Sequence, residues 1–161
     1  MAAADATPTS RSARFPSRLE ETSALLAWFS QVQPPSLDPL IWVQAQTALV
    51  EGFTNAVRHA HAPLASPPAI EVDVAYDATG LRIRIRDHGP FFDIPAVWRA
   101  LEDTADGAGG SEPADPTALP ERESHWGLIM LLRLHRQHGW SIHYDPLPEG
   151  GNVLVLQKPL C

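Results

Sequence analysis

Cysteine is nearly absent from this chain. Cys161 is the only one, so neither a disulfide framework nor a thiolate cage for structural zinc can be built. Long apolar runs are missing as well: no window approaches the roughly 20 apolar residues needed to cross a bilayer, which gives no expectation of a membrane span. The Ala-, Thr- and Ser-rich stretch Met1–Ser12 lacks the basic lead and apolar core of a signal peptide. It reads as a disordered tail over 1–12 and leaves the cytoplasm as the expected location. Basic residues are scarce too, with 12 Lys and Arg against 19 Asp and Glu, for a formal charge of -7. That balance opposes broad contact with phosphate backbones, so direct nucleic-acid binding is not expected. A nucleotide is still allowed, because a metal ion and backbone amides can neutralise polyphosphate.

What remains is enough for one ordinary core: 161 residues, 44% of them hydrophobic. A single domain over 13–160 is the expectation. Arg14-Phe15-Pro16 reads as a short edge strand, followed by a helix from Ser17 to Ser30 with Leu19, Thr22, Leu25, Leu26 and Phe29 at helical spacing. Asp38 can cap a second helix, and Pro39 fits its first turn, where a missing amide donor costs nothing. The apolar side of that helix runs to about residue 61. Ile70, Val72, Val74 and Tyr76 then alternate with polar neighbours, Asp77–Gly80 supplies a turn, and Leu81, Ile83 and Ile85 alternate with Arg82, Arg84 and Arg86.

From residue 99 to 124 the sequence is Gly-, Pro- and acid-rich, and a flexible flap is expected there. A third helix over Trp126–His138, stopped by Gly139, and a final hairpin, Ser141–Tyr144 with Val153–Gln157, complete the chain. Adjacent hairpin strands argue against a doubly wound parallel sheet. The expected fold class is α+β: a two-layer sandwich whose mixed, mostly antiparallel sheet is covered on one face by helices.

Two segments carry chemistry. Asp87 falls in register with the apolar face of its strand, and an unpaired carboxylate is costly to bury. Either the strand frays before it or the side chain meets a partner in a pocket. About thirty residues upstream, Glu51 and Asn55 lie four apart on one helix face. There a carboxylate can act on a hydroxyl or water near a terminal phosphate, and an amide oxygen can serve magnesium, which prefers oxygen ligands. Taken singly, each is as readily a helix-surface residue. His125-Trp126-Gly127-Leu128 lies where loop becomes helix, and free amides at a helix start suit phosphate. Gly127 there serves close approach or plain packing. The histidines make no convincing metal cage.

In order, Glu51-Gly52-Phe53-Thr54-Asn55-Ala56, Asp87-His88-Gly89-Pro90-Phe91-Phe92-Asp93 and His125-Trp126-Gly127-Leu128 resemble the three motifs of the GHKL ATP-binding domain. The resemblance is specifically to the anti-sigma regulatory serine/threonine kinases and spans roughly Phe15–Lys158. It implies the Bergerat sandwich, with ATP between sheet and helices under a lid over 99–124. It further implies that Asp87 recognises the adenine amino group, Gly89 lets the base approach, Asn55 holds Mg2+ and Glu51 is the general base. Gly127, Leu128 and Asn152 complete the nucleotide contacts. The partners so implied are a sigma factor and an anti-sigma factor antagonist, often with a homodimer. Phe91 and His125 stand where the family usually has glycine, and Asn152 where a threonine is common. These departures keep open a competing class, a non-catalytic interaction module with an altered or empty pocket.

Overall fold

The computed structural model describes residues 8–107 and 119–160. Among them are five strands, β1 (Thr9–Phe15), β2 (Ile70–Asp77), β3 (Gly80–Asp87), β4 (Ser141–Pro146) and β5 (Asn152–Pro159). The helices are α1 (Thr22–Ser30), α2 (Pro39–Asn55), α3 (Ile94–Gly107) and α4 (Leu119–Gln137). The strands form one sheet in the order β1-β2-β3-β5-β4, and every pairing is antiparallel. The expected α+β sandwich is therefore found, without a parallel component.

Strand alternation decides the layering, because side chains two apart share a face. Cross-strand rows such as Val72, Ile85, Leu154 and Tyr144 run across the sheet on the helix side. Ile85, Val72 and Leu154 are essentially inaccessible. The opposite face carries Glu71, Asp73, Arg84 and Arg86, where Glu71 pairs with Arg14 at 2.6 Å and Arg86 with Glu149 at 3.0 Å. Such exposed pairs add little stability.

Helix α2 is the central brace. Asp38 caps it, its carboxylate accepting from the Leu40 amide at 2.8 Å, as its sequence predicts. Gly52 lets the helix approach the sheet, since a Cβ there would lie 2.6 Å from Ile85 Cδ1 and 2.8 Å from Leu154 Cδ2. Helix α1 packs alongside through Phe29 and Trp42, whose rings stack with centroids 4.1 Å apart. At Ala56 the hydrogen bonding changes: the His61 amide donates to Ala56 O at 2.9 Å, an i to i+5 bond, and Ala56–Ala60 form a π-helical turn. Single π turns of this kind are frequent at functional sites.

Three boundaries correct the sequence reading. Residues 9–12, expected in a disordered tail, belong to β1 and pair with Asp73–Tyr76. This edge strand turns Ser10, Arg11 and Ser12 to solvent and so carries no apolar signal. Helix α1 is preceded by a 3-10 turn over Leu19–Glu21 and does not begin at Ser17. Of the flap expected over 99–124, residues 99–107 continue α3 and 119–124 open α4; 108–118 lie outside the described residues. Pro120 falls in the first turn of α4, where no amide donor is required. No helix among the described residues is long and apolar enough to cross a membrane.

Candidate functional site

A cavity of about 220 Å³ opens between the π turn, the C-terminal end of β3 and helix α4. Asn55, Ala56, His59 and Ala60 form its helical wall. Asp87, Pro90, Phe91 and Phe92 come from the end of β3 and the loop beyond it, Leu128 from α4 and Tyr144 from β4. Its volume lies below the roughly 300 Å³ at which ordinary ligand pockets begin, so it suits a heterocycle rather than a whole nucleotide.

Asp87 is the acid on this largely apolar wall and is only 4% exposed. Strand register places it there: Leu81, Ile83, Ile85 and Asp87 point to the same side, and Asp87 pairs with Asn152 of β5. Its Oδ1 accepts from the Gly89 amide at 2.9 Å and from Asn152 Nδ2 at 3.1 Å. Two donors on one oxygen fix the carboxylate plane and leave Oδ2 as its remaining acceptor. Asn152 Nδ2 also donates to Pro90 O at 2.8 Å, which ties β5 to the loop bearing Phe91. Gly151, at φ 89°, makes this approach possible, because a Cβ there would run into the Asp87 carbonyl. Gly89 is as tightly placed, with a Cβ position 2.5 Å from Ala60 O. Burial, and after it the negative charge of Asp87, hold the Tyr144 phenol protonated far into the alkaline range.

Asn55 faces the same cavity and is 8% exposed. Its Nδ2 is buried without a hydrogen-bond partner, a donor that an acceptor atom of a bound ligand would satisfy. One neutral oxygen from this amide fits magnesium, which takes oxygen ligands and keeps several waters.

Glu51, one helical turn earlier, is not on the cavity wall. It borders a shallow hollow beside Leu26, Gln46, Thr47 and Val50, and its carboxylate packs against Gly127 of α4 so closely that a Cβ on Gly127 would collide with Oε2. Burial raises the Glu51 pKa above the ordinary carboxylate value, partly offset by the Arg58 guanidinium.

The expected site residues thus fall into two groups. Asn55, Asp87 and Leu128 meet around the cavity, with Gly89 and Asn152 bonded to Asp87; Glu51 and Gly127 meet each other a turn away. The expectation that Gly127 stands where loop becomes helix is corrected: α4 begins at Leu119, so the Gly127 amide lies inside the helix. Its close neighbour is a carboxylate. The His125 side chain lies outside the described residues.

Sequence reading missed His61. It is 3% exposed and bonds both Ser17 and the His88 amide. Its sequence signal was only a histidine near a helix end, and the π turn that buries it leaves no periodic trace.

Over residues 15–158 the chain matches the model of the histidine kinase-like ATPase domain family. The chain belongs to that family, and the family implies ATP binding. A search among curated proteins found no match.

Proposed function

We propose that this protein is a cytoplasmic anti-sigma regulatory protein that binds Mg-ATP and phosphorylates a serine or threonine of an antagonist protein. The observation that carries this reading is Asp87, a buried carboxylate on an apolar cavity wall whose Oδ1 is held by Gly89 and Asn152 while Oδ2 stays available. Such an acceptor suits an amino group on a flat heterocycle, with Ala56, Ala60 and Leu128 as apolar walls. Asn55 would hold the magnesium, which when bound neutralises the phosphates. In the transfer, Glu51 takes the proton from the acceptor hydroxyl. The hydroxyl oxygen bonds to the γ-phosphorus, the bond to the β–γ bridging oxygen breaks, and ADP leaves. A carboxylate with a raised pKa is better matched to that role near neutral pH.

A second reading, a non-catalytic regulatory module, draws on two observations. Gly127 is packed onto Glu51 within a continuous helix, and Phe91, 63% exposed, stands at the cavity where the family has glycine. Equilibrium dialysis with Mg-ATP separates the two. Saturable binding is expected; none at millimolar nucleotide would leave the interaction module in its place.

A further inference from the structure

His61 uses both ring nitrogens. Nδ1 lies 2.9 Å from Ser17 Oγ, and Nε2 lies 2.9 Å from the His88 backbone nitrogen. A backbone amide can only donate, so Nε2 is an unprotonated acceptor and the ring proton sits on Nδ1, donated to the Ser17 hydroxyl. This fixes a neutral imidazole in one tautomer. His88 lies between Asp87 and Gly89, and the Gly89 amide donates to Asp87 Oδ1. Both amides of the turn are therefore held by side chains, one by Asp87 itself and the other by His61 reaching across from the π turn. The backbone contact of Gly89 with Ala60 comes from the same π turn.

We propose that His61 is a positioning residue for the nucleobase site: its Nε2 holds the His88 amide and so directs the Asp87 carboxylate into the cavity. This rests on Asp87 being the group that recognises the base. A neutral ring is required, since a protonated Nε2 would set one N–H against another. The charged and titratable groups that face it are the Asp87 carboxylate and the His88 ring, whose centroid is 5.8 Å away.

The test is titration of the full chain with ADP, without magnesium, so that no metal held by Asn55 contributes to the affinity. His61→Gln keeps an acceptor near the Nε2 position, whereas His61→Phe keeps a ring and loses it. The expected result is affinity within about threefold of wild type for Gln and a loss of about tenfold or more for Phe, the size of one buried hydrogen bond. Exchange of the His88 amide hydrogen should quicken in Phe and recover in Gln. Wild-type affinity should also fall on acidification as His61 protonates, while His61→Gln stays flatter, a comparison that stands even where Phe fails to fold. Equal binding by Phe and wild type, equal losses in Phe and Gln, or parallel acid profiles of wild type and Gln would overturn the role of His61 alone. No ADP binding by the wild type would instead overturn the nucleotide reading, and this inference with it.

Discussion

Asp87 and Asn152 stand opposite each other across β3 and β5, joined by a hydrogen bond of 3.1 Å between Oδ1 and Nδ2. The pair turns a strand register into a fixed carboxylate on the cavity wall. The amide that steadies the carboxylate also grips the Pro90 carbonyl at 2.8 Å, so strand and loop are set together. Asn152→Ala takes one of two donors from the buried Asp87 Oδ1 and the side-chain donor from the part-buried Pro90 carbonyl, at a cost of about 1–3 kcal/mol. Thermal unfolding followed by circular dichroism should show a melting temperature lower by several degrees. An unchanged melting temperature would mean that water replaces the amide without loss.

Glu51→Gln should separate stability from activity. The Glu51 pKa is raised in the folded protein, so folding favours the protonated form. The carboxylate therefore opposes folding once pH rises above its unfolded value, and a neutral amide of the same shape removes that opposition. The variant is expected to melt at or above the wild-type temperature at pH 7 while losing the proposed phosphoryl transfer. A lower melting temperature with transfer intact would contradict both roles.

Gly127→Ala tests the contact between α4 and Glu51. The new methyl meets the far end of a flexible side chain. The carboxylate can turn away, and alanine favours the helix by up to about 1 kcal/mol. Stability should hold or rise, while the proposed transfer falls because Glu51 has been displaced. Melting curves and a transfer assay read the two effects separately.

Acid should weaken the fold through His61. Burial is the main cause that lowers its pKa, with Asp87 opposing and His88 reinforcing the shift. A group whose folded pKa lies below its unfolded value of about 6.5 binds more protons when unfolded. Its contribution is complete above that value and is lost as pH falls toward the folded pKa. Urea unfolding of wild type and His61→Gln across this range should show a steeper decline in the wild type.

Asp87 was readable in advance because period-two alternation through Leu81, Ile83 and Ile85 carries to it without interruption, and the capped start of α2 was equally plain. The parts that escaped have physical reasons. An edge strand with Ser10, Arg11 and Ser12 in solvent looks like a tail, since strand patterning requires a buried side. A π turn breaks the phase that helical patterning assumes, which hid His61. Glu51 and Asn55 share a helix face as their spacing indicates. Yet a cavity of about 220 Å³ is too small to reach both, so same-face spacing did not mean same-cavity placement.

The most direct measurement is calorimetric titration of the full chain with ADP, wild type beside Asp87→Asn. An asparagine here still presents one oxygen to Gly89 and Asn152 but puts a donor where Oδ2 accepts, so shape is kept and recognition is reversed. Saturable wild-type binding with affinity at least about tenfold weaker in Asp87→Asn is the expected result. Equal affinities in two folded proteins would contradict it and remove Asp87 from the site.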